Sequence, residues 1–138
     1  MRVESIIYPM ATLILLNVIV ISLMLFFRIK AVRSRKVSPR YFKRNKGEDL
    51  PDHLEGLSQN YNNLLELPLL FYIVCLSIIV LKLNVEEFTI YAWLYVILRY
   101  VHSYIHITYN NVLHRLFAFS ISCIVLMIMW VKLVLSIS

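Results

Sequence analysis

Residues 6–27 read IIYPMATLILLNVIVISLMLFF, a stretch without a charged side chain. A helix needs about 20 consecutive, mostly apolar residues to cross a bilayer, so this stretch predicts a membrane-spanning helix. A secretory signal peptide would have a shorter apolar core and a small-residue cleavage site after it. Neither feature occurs here, and we therefore expect the helix to be retained.

The rest of the chain has the composition of a membrane domain. Of its 138 residues, 60% are apolar, whereas soluble domains are nearer half apolar. Three further stretches are long and apolar enough to cross a bilayer, at 57–81, 88–108 and 116–137. We therefore predict a single domain over residues 1–138, an all-α integral membrane protein built as a four-helix bundle.

Positive charge is concentrated directly after the first apolar stretch. Nine of the 14 lysines and arginines lie between Arg28 and Lys46, in a chain of net charge +6. Such a cluster beside a span is typical of a cytoplasmic loop and of contact with anionic membrane lipids. We expect the loop 28–56 in the cytoplasm and both termini outside. Nucleic acid is not indicated as a partner, because the basic residues do not line a folded face.

The two cysteines, Cys75 and Cys123, each lie inside an apolar run and lack the spacing of metal ligands. Cysteines in such surroundings behave as small apolar side chains. We expect buried thiols, no disulfide and no metal site.

Polar side chains recur inside the third span, where they are costly and usually face the bundle interior. Arg99, His102, His106 and Asn110 are spaced by three, four and four residues, so they share one helical face. In the second span Asn63 and Glu66 are related in the same way. Two further polar residues of the second span lie close to them, Gln59 and Asn62.

The depths of these residues predict how the two spans pair. If the second helix begins near Leu57, Glu66 lies about 13 Å along its axis and level with Arg99, so we expect an ion pair. The same register places Asn63 beside His102, and Gln59 or Asn60 beside His106.

Together the two polar faces predict a hydrophilic cleft that opens to the cytoplasm, with Arg115 at its mouth. The positive charge there exceeds the single carboxylate of Glu66, which favours an anionic ligand. The alternative is that these polar groups only link neighbouring helices.

Two segments resemble a known family: NNLLELPLLFYIV at 62–74 and RYVHSYIHITYNNVLHR at 99–115. They are similar to the MAPEG proteins, the membrane-associated proteins in eicosanoid and glutathione metabolism, over about residues 57–130. The chain looks closest to bacterial members of unassigned activity, which implies a bacterial inner membrane. The resemblance also implies a homotrimer of four-helix protomers that binds glutathione between neighbouring subunits, with access from the cytoplasmic side.

The resemblance assigns roles to single residues. Asn63 and Glu66 match the second-helix pair that holds the amino end of glutathione, and Arg99 and His102 match third-helix positions of the pocket. Arg115 matches the arginine that stabilises the glutathione thiolate, and it is the candidate catalytic residue.

Some positions depart from the family pattern. Gln59 and Asn62 stand where enzymatic members have arginines, His106 stands where they have a tyrosine, and Leu116 replaces a hydroxyl found in some members. Gln59, Asn62 and His106 remain candidate glutathione-binding residues. Other candidates for the missing positive charge are the loop arginines Arg33, Arg35 and Arg40.

The leading hypothesis is a membrane-embedded, glutathione-dependent transferase or peroxidase that acts on a lipophilic electrophile or hydroperoxide. A guanidinium does not deprotonate, so Arg115 would favour the thiolate of glutathione over the thiol. One alternative is a non-catalytic lipid-binding or scaffold protein on the same fold, which the departures favour. Another is a small proton-coupled transporter with Glu66, His102 and His106 as a relay.

Overall fold

The computed structural model of the chain describes residues 3–38, 41–42 and 51–138. Within these residues the long helices are α1 (Glu4–Arg33), α2 (Asp52–Val80), α3 (Val85–Ile107) and α4 (Val112–Ile137). The predicted all-α, four-helix class is confirmed. Each helix is longer than its apolar stretch, because the polar turns at the helix ends are helical as well.

Three of the described helices, α1, α2 and α4, are long and apolar enough to cross a membrane. The third predicted span differs. α3 has 23 residues, which at about 1.5 Å per residue is still enough for a bilayer core, but it carries Glu86, Glu87 and Arg99. The apolar part of α3 is less hydrophobic than that of the other helices, but α3 packs against all three of them, so much of its surface faces protein and not lipid.

The helices pack through narrow apolar seams. On α1 the fully buried side chains Ile6, Leu13 and Val20 are spaced by seven residues, as in a coiled-coil seam. At the centre of the bundle, the rings of Phe71 in α2 and Tyr95 in α3 stack with centroids 4.7 Å apart. The remaining apolar surface of α1, α2 and α4 faces outward, as expected for helices in a bilayer.

Among the described residues other than glycine, three have a left-handed backbone conformation, and each follows the end of a helix. They are Arg35, Lys82 and Asn110, with φ of 55°, 53° and 46°. After α2, the N–H of Leu83 donates to the carbonyl of Ile78 over 3.1 Å, the pattern of a Schellman ending. Such endings stop a helix within one residue. After α3 the N–H of Asn110 donates to the carbonyl of Ile105 over 2.8 Å, and the left-handed Asn110 turns the chain back toward α4.

Both cysteines have free thiols; Cys75 is buried, and Cys123 is half-buried. Of the loop arginines, Arg33 and Arg35 are exposed at the end of α1. Arg40 lies outside the described residues.

Candidate functional site

α1 and α3 end, and α2 and α4 begin, at the same end of the bundle, which we call the basic end. A polar cluster lies inside the bundle near this end. The side chains of Arg99, His102 and His106 are 0, 2 and 3% exposed, respectively. The shared face of α3 therefore points into the bundle. Asn110, the next position on that face, follows the helix and is exposed.

Arg99 is held by a backbone group of α2. Its Nη2 donates to the carbonyl oxygen of Asn63 over 2.8 Å, and its guanidinium carbon lies 5.7 Å from the centroid of the Phe119 ring. The other two nitrogens, Nε and Nη1, have no hydrogen-bond partner among the described residues. A fully buried guanidinium without a carboxylate is expensive to desolvate, so this position needs a reason beyond packing.

The predicted ion pair between Glu66 and Arg99 is wrong. Glu66 is exposed on the outer side of α2, and within the described residues the ion pair that forms is Lys132 with Glu87, at 3.9 Å near the opposite end.

The predicted register of α2 against α3 is also displaced, by three residues or about one helical turn. Ser103 Oγ donates to Asn60 Oδ1 over 3.1 Å, and a Cβ added to Gly56 would lie 3.4 Å from the carbonyl oxygen of His106. The contact of Arg99 with Asn63 has the same offset. The physical reason is that α2 begins at Asp52, so each of its residues lies deeper along the helix than a start near Leu57 predicts.

Three candidate residues of α2 lie away from the cluster. Gln59, Asn62 and Glu66 are all exposed, and their spacing places them on one outer stripe of the helix. Gln59 Nε2 donates to Glu55 Oε1 over 3.2 Å along this stripe. A single protomer therefore does not bring these three residues together with Arg99, His102 and His106, whereas half-buried Asn63 touches the inner set through its backbone.

Arg115 lies in the first turn of α4, half-buried, and its guanidinium is fixed by two neighbours. Its Nη1 donates to Asn110 Oδ1 over 2.8 Å and lies 3.3 Å from His106 Nε2. Asn111 caps the helix by accepting from the N–H groups of Leu113 and His114. This cap and the left-handed turn at Asn110 together bring Arg115 back alongside α3.

The contacts of Arg115 assign the protons of both histidines. Its backbone carbonyl is 3.1 Å from His102 Nδ1, and since a carbonyl only accepts, that nitrogen carries hydrogen. Its guanidinium only donates, so His106 Nε2 accepts and the hydrogen of the neutral ring is on Nδ1. The two rings meet edge to face with centroids 5.6 Å apart.

The cluster has unused hydrogen-bonding capacity, and most of it is donating. Buried atoms without a partner among the described residues include Asn60 Nδ2, Arg99 Nε and Nη1, and His106 Nδ1, which are donors, and His102 Nε2, which accepts. Buried polar groups are nearly always hydrogen-bonded, so unpartnered ones suggest a missing ligand, water or partner. An excess of donors favours a negatively charged or acceptor-rich ligand.

Sequence reasoning missed several residues of this cluster. Ser103 and Phe119 were not singled out, although Ser103 lies one turn after Arg99 and Phe119 one turn after Arg115. Gly56 was missed as well, and a glycine inside a helix with only one other in the chain is a signal of close packing.

Comparisons with known proteins agree with the motifs of the second and third helices. The model of the MAPEG family matches residues 6–135, nearly the whole chain. The comparisons with curated proteins and with solved structures find no match. A family match over this length, on a bundle of four helices, confirms the predicted resemblance. The chain belongs to the MAPEG family and is a membrane protein of that helical-bundle class.

Proposed function

We propose that the protein is a membrane-embedded, glutathione-dependent transferase or peroxidase that acts on a lipophilic electrophile or hydroperoxide. Membership of the MAPEG family supports a role connected with glutathione. The observation that carries the proposal is Arg115, held by Asn110 and His106 at the edge of a buried cluster rich in spare donors. A fixed cation beside such a cluster suits the anionic form of a thiol.

Arg115 acts in this proposal through its permanent charge. A guanidinium stays protonated at all relevant pH values, so it lowers the pKa of a thiol placed beside it. The thiolate of glutathione is the nucleophile, and it forms a carbon–sulfur bond with an electrophile as the leaving group departs. The second substrate reaches the site from the bilayer, because the helices around it expose apolar side chains.

The outer stripe of α2 supports a site completed by a second copy of the chain. Glu66 lies between Leu65, Leu69 and Leu70, whose side chains are 51, 58 and 44% exposed. A carboxylate facing hydrocarbon is costly, so a neighbouring subunit covering this face would stabilise it. In the proposed homotrimer, Gln59, Asn62 and Glu66 of one protomer grip the peptide of glutathione, and the partner contributes its basic end.

The orientation follows from the distribution of charge. The described lysines and arginines from Arg28 to Lys36 lie at the basic end of the bundle, and in the sequence the basic run continues to Lys46. Such clusters stay in the cytoplasm. In the proposed arrangement, in a bacterial inner membrane, the candidate site opens to the cytoplasm and both termini lie outside.

Calorimetric titration of glutathione into the detergent-purified protein tests the proposal. We expect saturable binding with a Kd in the micromolar to millimolar range, of order −4 to −8 kcal/mol. Arg115→Ala and Glu66→Gln should each weaken it, whereas Lys132→Gln, at the opposite end, serves as the matched control. Thiolate absorbance of bound glutathione, measured against pH, should show that its thiol pKa rises in Arg115→Ala.

Two results would contradict the proposal. One is no heat at saturating glutathione, and the other is an unchanged thiol pKa in Arg115→Ala.

The second candidate is a non-catalytic lipid-binding or scaffold protein on the same fold. Two departures from the family pattern favour it. Gln59 and Asn62 are uncharged where enzymatic members of the family have arginines, and the exposed Leu116 replaces a hydroxyl side chain found in some members. Absence of glutathione binding in the titration would favour this candidate.

A proton-coupled transporter has less support from the structure. Glu66 is exposed on the outer side of α2, whereas His102 and His106 are buried on the inner side of α3. These groups therefore do not form a relay within one protomer.

A further inference from the structure

A groove of about 370 Å³ lies at the basic end, between the last turns of α1 and the start of α2. It is separate from the polar cluster around Arg99 and shares no residue with it. Its lining residues are Phe27, Lys30, Ala31, Ser34, Lys36, Pro51 and His53.

The floor of the groove is apolar and well supported. Phe27 packs against the buried cluster of Ala31, Val37 and Leu54. The ring of His53 meets that of Phe27 edge to face, with centroids 5.5 Å apart. Side chains from the end of α1 and the first turn of α2 therefore pack together and form the floor of the groove.

The rim of the groove is positively charged. Lys30 and Lys36 are exposed, and neither ammonium forms an ion pair with any carboxylate of residues 3–38, 41–42 or 51–138. The Ser34 hydroxyl donates to the Ala31 carbonyl over 3.1 Å, which leaves its oxygen free to accept. Asp52, at the start of α2, is exposed but does not line the groove.

The groove lies beside the last apolar turns of α1, and Phe26 is one turn before the lining residue Lys30. Leu25, Phe26 and Ile29, on the last apolar turns of α1, are 51, 60 and 54% exposed. Two ammonium groups without a carboxylate partner among the described residues lie above an apolar floor, near the outward-facing apolar surface of α1. This combination matches a molecule with an anionic head and apolar chains. A soluble phosphate would satisfy the lysines but would not use the apolar floor.

We propose that this groove binds the headgroup of an anionic phospholipid such as phosphatidylglycerol. Lys30 and Lys36 contact the phosphate, and the acyl chains run past Phe26, one turn before Lys30, along the outward-facing apolar surface of α1. Anionic lipids attract basic residues next to a span. The site is independent of glutathione and goes beyond the proposed function.

Native mass spectrometry of the full-length protein in micelles, titrated with phosphatidylglycerol or phosphatidylcholine, tests the proposal. We expect tighter binding of phosphatidylglycerol. The double variant Lys30→Gln/Lys36→Gln should lose about tenfold or more of that affinity, with phosphatidylcholine unaffected. The matched control is Arg33→Gln/Arg35→Gln, which removes the same charge outside the groove and should change the affinity by less than about threefold.

Three outcomes would overturn the site. They are equal binding of the two lipids by the unchanged protein, equal loss in the two double variants, and displacement of phosphatidylglycerol by millimolar inorganic phosphate. Lys36 lies beyond the end of α1, so Lys36→Gln alone leaves the helix intact. A loss of phosphatidylglycerol affinity in this single variant is then not due to unfolding. Glutathione titrations of the lysine variants should match the unchanged protein, so that failure here and failure of the proposed function can be distinguished.

Discussion

The guanidinium of Arg115 depends on two side chains that sequence patterns associate with other roles. Asn110 was expected on the polar face of α3, but it lies beyond that helix with φ of 46° and accepts a hydrogen bond from Arg115. His106 was predicted to bind glutathione, but its Nε2 faces the same guanidinium at 3.3 Å. In the proposed mechanism both are positioning residues, since they would act on glutathione only through Arg115.

This arrangement makes Asn110→Gly an informative substitution. Glycine adopts positive φ without strain, so the turn is preserved while the acceptor of Arg115 is lost. A hydrogen bond to a charged group contributes about 1.5–3 kcal/mol. We therefore expect kcat for glutathione conjugation to fall by about tenfold, with little change in KM for glutathione.

Conjugation kinetics with a general electrophile, measured beside Asn111→Asp, which retains a capping residue, would check this expectation. An unchanged kcat in Asn110→Gly would show that Asn110 does not position Arg115.

At the scale of the helices, the pairing of α2 with α3 depends on close approach at Gly56. A Cβ there would lie 3.4 Å from the carbonyl oxygen and 3.8 Å from Nδ1 of His106, which is ordinary contact. Anything larger than a methyl group has to push the two helices apart. The hydrogen bond between Ser103 and Asn60, one turn further along, would then be strained.

Two substitutions at Gly56 should therefore have different effects on the free energy of unfolding. Gly56→Ala fits the space and removes a poor helix former, so the free energy of unfolding should stay level or rise by up to about 1 kcal/mol. Gly56→Leu overfills the contact and should lower it by about 1–3 kcal/mol. Thermal unfolding in one detergent, followed by circular dichroism, measures both. Equal stability of the two variants would mean that α2 and α3 are not in close contact there.

For the whole molecule, the outer stripe of α2 is the feature that a single protomer leaves unexplained. Glu66 is exposed among apolar side chains that face outward, and Asn62 lies one turn away on the same stripe. α1 exposes a different surface, in which Ile14, Leu15 and Val18 are apolar and suited to lipid. The two surfaces should therefore have different neighbours.

Cysteine crosslinking tests this difference on a Cys123→Ala background, which leaves the buried thiol of Cys75. A cysteine at Asn62 should crosslink neighbouring chains with a short bis-maleimide, whereas one at Val18 should not. Light scattering in mild detergent should give three times the chain mass of 16.3 kDa. A mass of one chain, or equal crosslinking at Val18, would contradict the proposed trimer.

The sequence by itself determined the features that depend on one helix at a time. The uncharged run at 6–27 is long enough for a bilayer, and the spacing of Arg99, His102 and His106 puts them on one face, because helical periodicity is local. Only the tertiary structure decided that Glu66 faces outward, that Asn63 and not Glu66 contacts Arg99, and that Asn110 holds Arg115. Those features depend on the register between two helices, which is set by packing at places such as Gly56 and by where each helix begins. Periodicity within either helix contains no information on that register.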